Sequence, residues 1–296
     1  MSAPGDNGVL PVAAATPSTA ATATTTTFPA LARRRHGLRR RIGLCLLAAV
    51  ALFAAAGPSS IGIDPAVQTL ADSLQPPGAA HWLGTDLYGR DVGARLAAAA
   101  QLSLGLALLA ALSAAVPGVL LGVLAAWRGG RAERALVMLS DAVLSVPGLL
   151  LVLLFAGLAP GRHWALYLGL SLSLWVEYFR VSRAVARPVM AGDAVQASRL
   201  LGFGPVYLVR RHLLPALAPV LGTLLAFSAA QAVLALAALG FIGVGLQPPT
   251  AELGLMMTEA LPHYEEAPWL IAAPVALLTL LVLGMMLLAD DREAPA

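Results

Sequence analysis

Residues able to do chemistry are sparse in this 296-residue chain. The five histidines, at 36, 81, 163, 212 and 263, are scattered and never take a His-x-x-x-His ligand spacing. No Gly-x-x-x-x-Gly-Lys-Ser/Thr phosphate loop is present, and the absence of any Lys excludes one. The chain is therefore not itself an ATPase, and neither a metal site nor a bound cofactor is expected. Cys45 is the single cysteine, so no intrachain disulfide can form; inside an apolar run it reads as a small hydrophobe. Asp141 is the one acid noted deep in an apolar run. An intramembrane carboxylate is a proton-relay candidate for a secondary carrier. It follows Arg134 by seven residues, however, and a local ion pair near the membrane interface is the simpler reading.

The elements that hold these residues are apolar to an extent that decides the class. Hydrophobic residues make up 58% of the chain and charged residues 12%, with a mean hydropathy of +0.79. A soluble fold carries about 25% charged residues to cover its surface. A polytopic all-α membrane protein needs no such coat. Charge-free runs cover residues 42–63, 96–127, 142–161, 163–176, 212–251 and 267–289. They predict six transmembrane helices, the fourth borrowing residues 177–181 at an interfacial end. Residues 1–32, rich in Ala, Thr and Pro, read as a disordered tail. Residues 33–98 would hold the first helix and an outer loop, and residues 99–290 the core. The basic run at 33–41 followed by apolar residues also has the pattern of a signal peptide. The apolar character of everything downstream favours a retained helix.

All 19 basic residues are Arg. With the N-terminus in the cytoplasm, 16 of them fall in the N-tail, the 128–134 turn, the 178–214 loop and the C-tail. Only Arg90, Arg95 and Arg162 remain outside, where most acidic residues also gather. That asymmetry satisfies the positive-inside rule and places both termini in the cytoplasm of a multi-pass inner-membrane protein. It also accounts for the basic pI by topology, with no nucleic-acid partner.

The 178–214 loop is long and basic. A short helix is expected up to Leu201, a turn at Gly202 and Gly204, and a second short helix opened by Pro205. Pro215 would open the fifth membrane helix. Ala197 and Ser198 are small enough for close approach to a partner, and Arg199, Arg210 and Arg211 offer charge pairing. A connecting loop anchored by Arg at lipid headgroups fits the same residues equally well. On the outer side, residues 84–91 mix charges with turn formers. They either cap the pore mouth and meet a binding protein, or form a structured loop pairing Asp86 or Asp91 with Arg90 or Arg95. Gly240, Gly243 and Gly245 read as close-packing positions, and Pro248-Pro249 as the stop of the fifth helix. Pro117 and Pro147 are expected kinks.

The loop resembles the "EAA" segment of ABC importer permeases. Gln196-Ala197-Ser198 stands for Glu-Ala-Ala, Gly202 holds the family spacing, and Leu214-Pro215 close the motif. Leu83-Gly84-Thr85-Asp86 with Gly89-Arg90-Asp91 resembles the LGTDxxGRD signature of the C-type permease of dipeptide, oligopeptide and nickel importers. Residues 238–250 resemble the tract that closes the fifth helix in that branch. Gln101 stands where the family often has Arg, Leu253 where it often has Trp, and the C-terminal tail is short. The resemblance implies the type I ABC importer permease fold. It implies a pore shared with a homologous second permease, and two cytoplasmic ATPase subunits that bind ATP and dock on the coupling loop. It also implies an extracytoplasmic substrate-binding protein and a bilayer setting. Cargo would be di- or oligopeptides, with a nickel chelate as the alternative within the family and an Asp141 proton carrier as the alternative outside it.

Overall fold

The computed structural model describes residues 29–61 and 64–289. The proposed tail up to residue 28 and the C-terminal Arg292 lie outside the described residues. Among the described residues ten α-helices follow one another: α1 (Pro29–Ile61), α2 (Val92–Arg128), α3 (Gly130–Leu144), α4 (Gly148–Leu158), α5 (His163–Ala191), α6 (Asp193–Leu200), α7 (Pro205–Leu208), α8 (Leu214–Ile242), α9 (Leu253–Ala260) and α10 (Trp269–Ala289). A π-helical turn, Val209–Leu213, joins α7 to α8. The described residues hold no β-strand, only an isolated antiparallel bridge between Thr85 and Asp91. The all-α expectation holds. Helix α1 starts at Pro29, inside the segment read as tail.

Among the described residues, four stretches are long and apolar enough to cross a membrane: Leu38–Gly57, Val92–Arg128, Pro205–Ile242 and Trp269–Ala289. The expected third span is not one straight helix. Helices α3 and α4 meet at a 73° bend. Pro147 caps α4 and causes the break: it has no N–H to donate, and it drives the preceding residue away from helical geometry. Helix α4 has 11 residues. At about 1.5 Å per residue it covers only about half of a hydrocarbon core. Counting the bent pair as one span gives five. The expected fourth helix ending near residue 181 instead runs on to Ala191. The charges that seemed to end it are carried within the helix, so much of the 178–214 loop is helical. Pro117, an expected kink, sits inside continuous α2.

The core forms where helix faces carry the smallest side chains. Along α2, Ala100, Ala107, Ala110, Ala114 and Ala125 are fully buried. In the same helix, a Cβ on Gly118 would lie 2.6 Å from the Trp175 carbonyl oxygen of α5, and one on Gly122 2.6 Å from that of Phe179. In lipid no hydrophobic effect drives helices together, so association relies on such close backbone packing. The large apolar residues of α2, Leu109, Leu112, Val116 and Leu120, point outward. Tyr178 of α5 and Ser228 of α8 share a buried hydroxyl–hydroxyl bond of 2.5 Å. Gly43 of α1 faces Gly284 of α10 in the same close-packed manner. Gln101 donates to the Ala54 carbonyl of α1 at 2.5 Å, and Leu253 is fully buried, so both family departures have structural partners here.

In the tract closing α8, Gly240 and Gly245 pack closely, as expected, whereas Gly243 does not: a Cβ there would meet nothing within 4 Å, and its role is conformational. Gly240 lies directly under Glu252, and a Cβ there would be 1.9 Å from Glu252 Oε2. The helix stops at Ile242 because Gly243 adopts a left-handed φ of 82°. Pro248-Pro249 fall in the loop beyond and do not end it.

Candidate functional site

Two ends of the bundle gather the residues singled out by sequence. At one end, α6 and α7 form a helical hairpin attached to the C-terminal ends of α2 and α5. Gly202 makes the turn at φ 80°, where an L side chain is strained, and Pro205 occupies the first turn of α7. Both halves of the predicted loop are thus observed. Pro215 stands in the first turn of α8, as expected of a helix opener, though a helical ladder already runs into it through the π-helical turn. Lacking an N–H, it leaves that ladder one donor short, and π-turns accommodate such breaks.

The hairpin is held from inside. Ser198 is buried, donates to the Ala194 carbonyl at 2.8 Å and lies 3.0 Å from His212 Nε2. It turns inward to join α6 to the π-turn and does not face a partner. Val195 and Leu208 are buried beside Met190. Arg199 lies over the Trp127 ring at 5.5 Å, fixing α6 to the end of α2. Gln196 donates to the Ala191 carbonyl at 3.0 Å, tying α6 to the end of α5 through an N–H that a carboxylate does not have. Ala197, Arg210, Arg211, Leu214 and Pro215 are exposed.

Sequence reasoning missed the most prominent feature here. Leu200 and Leu201 are 90% and 76% exposed at the hairpin tip. Phe203, Val206 and Tyr207 are exposed beside them, with Phe203 stacked on Tyr207 at 4.2 Å. The available signal was a cluster of large apolar residues inside a segment otherwise read as polar. Glu133 of α3 was missed too: it accepts from Arg183 Nε of α5 at 2.8 Å and ties the bent helix to the same end. Asp141 pairs with Arg180 of α5 at 3.4 Å, both more than half exposed; an ion pair was expected, but it runs between helices and is not the local one that Arg134 suggested.

At the opposite end the 83–91 segment folds against α9 and α10. Leu83 is partly exposed. Gly84 packs under the Trp269 indole, and Thr85, fully buried, accepts from the Gln75 N–H at 2.9 Å and donates to the Asp72 carbonyl. Gly89 has φ 68°, and a Cβ there would fall 1.8 Å from the Thr69 carbonyl oxygen. Asp91 caps α2, accepting from the Ala94 N–H at 2.7 Å, and also meets His81 Nδ1 at 2.8 Å. It does not pair with an arginine.

Asp86 does. Its carboxylate accepts from Arg90 Nε at 2.6 Å and lies 3.3 Å from Arg95 Nη1. Both guanidiniums also reach Glu259 Oε2 of α9, at 3.0 and 2.7 Å. Arg90 and Arg95 are 2% and 1% exposed. The structured-loop reading of residues 84–91 therefore describes their geometry, and Glu259 is the member sequence reasoning did not single out. A cavity of about 110 Å³ opens beside the cluster, lined by Tyr88 and Met256 among others. No group of three or more potential metal ligands occurs among the described residues.

Next to this cluster, Glu252 caps α9, accepting from the Leu255 N–H at 2.8 Å, while its Oε1 is buried without a partner. Burial raises its pKa above the ordinary 4.5, against the lowering effect of the backbone bonds. The folded state therefore holds this proton more firmly than the unfolded state. The contribution is fully present below pH 4.5 and is lost as pH rises through the raised folded value. Thermal midpoints of purified protein in detergent should fall with rising pH across that window. The Glu252→Gln variant should show a shallower fall, and an unchanged pH slope would refute this assignment.

Comparisons with known proteins agree with this architecture. Residues 118–292 match the family described as binding-protein-dependent transport system inner membrane component. The chain is 35% identical over 277 residues to the di/tripeptide transport system permease protein of Pseudomonas aeruginosa, covering 90% of this chain and 89% of that one. It is 31% identical over 250 residues to the nickel transport system permease protein of Escherichia coli, covering 84% and 90%. It is 27% identical over 267 residues to the oligopeptide transport system permease protein of Bacillus subtilis, covering 90% and 87%. The chain belongs to the family of binding-protein-dependent transport system inner membrane components.

Proposed function

We propose that this chain is a permease subunit of an ATP-driven importer of short peptides and forms half of a pore with a homologous second permease. The observation that carries the reading is the hairpin at residues 193–213, which presents Leu200, Leu201, Phe203 and Tyr207 to solvent from a base anchored on α2 and α5. Exposed apolar clusters of this kind mark protein interaction sites. A movement of an ATPase bound there would pass directly into α5 and α8. Two such ATPases would bind and hydrolyse ATP, since this chain lacks a phosphate loop. An extracytoplasmic binding protein would deliver cargo at the end bearing Asp86 and Glu259.

The arginine distribution supports cytoplasmic termini. Helix α2 has the Arg90–Arg95–Asp86–Glu259 cluster at its start, and Arg128, Arg183, Arg199 and Arg210 gather near its far end. Helix α5, 29 residues long, is the sixth span in this reading, its charges near the cytoplasmic end held by α3. Peptide cargo is favoured over nickel because the di/tripeptide permease matches at 35% identity over 90% of the chain, against 31% over 84% for the nickel permease.

The test is reconstitution of the chain with its partner permease, its ATPases and its binding protein in proteoliposomes. ATP-dependent uptake of a labelled dipeptide or tripeptide, stimulated by the binding protein, is the expected result. Uptake that needs neither ATP nor the ATPases would overturn the reading.

A further inference from the structure

The bend at Pro147 opens a chamber of about 270 Å³ between α4, α5 and α8. That is close to the lower end of pockets that hold small organic ligands, roughly 300–1,000 Å³. Its wall is almost entirely aliphatic, supplied by residues such as Leu149, Val152 and Leu170. Three polar side chains interrupt it. Ser173 and Glu177 lie one turn apart on the same face of α5, and Gln231 faces them from α8. The Glu177 carboxylate is within hydrogen-bonding reach of the Gln231 amide. Gly148 keeps Ser173 open to the chamber, because a Cβ there would fall on the Ser173 hydroxyl.

Glu177 has no cationic partner among the described residues. Arg180, three residues on, pairs with Asp141, while Arg183 and Arg187 pair with Glu133. These three basic residues of α5 are thus engaged with α3, and Glu177 is left facing the chamber. A carboxylate in an apolar, membrane-embedded wall is costly without a counter-charge. Acids so placed in membrane proteins line substrate paths.

We infer that Glu177, with Gln231 and Ser173, forms a subsite in the translocation path that receives the ammonium group of a peptide cargo. This deepens the peptide-importer reading and rests on it. The carboxylate supplies the opposite charge, the amide and hydroxyl accept remaining N–H bonds, and the aliphatic wall accommodates the uncharged side chains of the cargo. A bare divalent metal ion does not fit, because one carboxylate with no His, Cys or second acid beside it is too small a ligand set.

The experiment uses the complete transporter in proteoliposomes, with labelled trialanine delivered by saturating amounts of loaded binding protein. Glu177→Gln is expected to lower uptake at least tenfold while binding-protein-stimulated ATP hydrolysis stays within twofold of wild type. Glu177→Asp should retain at least a third of the uptake. Gln231→Leu, which changes the opposite wall, should lower uptake severalfold with hydrolysis likewise preserved, and it decides the matter if the first variant fails to assemble. Wild-type uptake in both Glu177→Gln and Gln231→Leu overturns the inference, as does a parallel fall of uptake and hydrolysis, the mark of a packing role. A wild type that moves no tripeptide at all overturns the peptide reading first, and this subsite with it.

Discussion

Replacing Glu259 with Ala lowers the stability of the chain by about 3 kcal/mol, because two buried guanidiniums lose the carboxylate they share. Arg90 and Arg95 are almost wholly excluded from solvent, and the α9 carboxylate is only 23% exposed. Removing one partner of such a pair leaves charge buried without compensation, a loss of roughly 3–5 kcal/mol. Asp86 still contacts both arginines, which places the expected effect at the lower end of that range. In detergent the thermal midpoint should drop on the order of 10 °C. Asp86→Ala should act in the same direction, since it accepts from the Arg90 N–H as well as its guanidinium. The pair Arg95→Met with Glu259→Met should recover much of the loss, because an apolar replacement leaves no buried charge behind. A midpoint unchanged by Glu259→Ala would mean the cluster is hydrated and the ion pairs are of the weak surface type.

The consequence for function lies in what the cluster joins. The first turn of α2 and the short helix α9 are 164 residues apart in sequence at Arg95 and Glu259, yet share one charge network. Helix α9 in turn packs on α8 through Gly254, whose Cβ would fall 1.9 Å from the Ala237 carbonyl oxygen. This end of the bundle is therefore linked to α8, which begins at the hairpin at the opposite end.

Much of this was legible in the residues. Apolar runs located four of the spans, and Gly202 with Pro205 located the turn of the hairpin, because left-handed geometry and a fixed φ are properties of single residue types. The pairing of Asp86 with Arg90 was legible because the two are four residues apart. Three features were not. The apolar run of α5 appears to end at Glu177 only because sequence shows a charge without showing that α3 neutralises the basic residues after it. The same truncation hid Glu177 and made Asp141 look like the sole deep acid. The outward orientation of Leu200 and Leu201 was hidden because Leu is equally common in spans, cores and interaction surfaces. Glu259 was visible as an outer acid, but its partners are distant in sequence.

Those two leucines carry the second large effect. If the hairpin is the proposed docking site, the expected result for the double variant Leu200→Asp, Leu201→Asp is loss of ATPase binding from a permease that stays folded. Both side chains are mostly in solvent, so charges at their positions bury nothing in the isolated chain and alter no packing. Interaction hot spots are large side chains at the centre of an interface, each worth about 2 kcal/mol or more. Losing two, and placing two carboxylates in a desolvated groove instead, weakens association by more than a thousandfold. Co-purification of the ATPases with the permease pair should be lost, and transport-coupled hydrolysis should fall at least tenfold. The thermal midpoint of the permease alone should stay within about 1 °C of wild type, as for substitutions at exposed sites. Gly202→Val tests the same surface through its support. Its Cβ would meet nothing within 4 Å, so any loss of ATPase binding comes from the left-handed turn and not from a clash. ATPases that remain bound to the double variant would place the coupling contact elsewhere at this end of the bundle, with the groove between Trp127, Arg128 and Arg210 as the surface left to bear it.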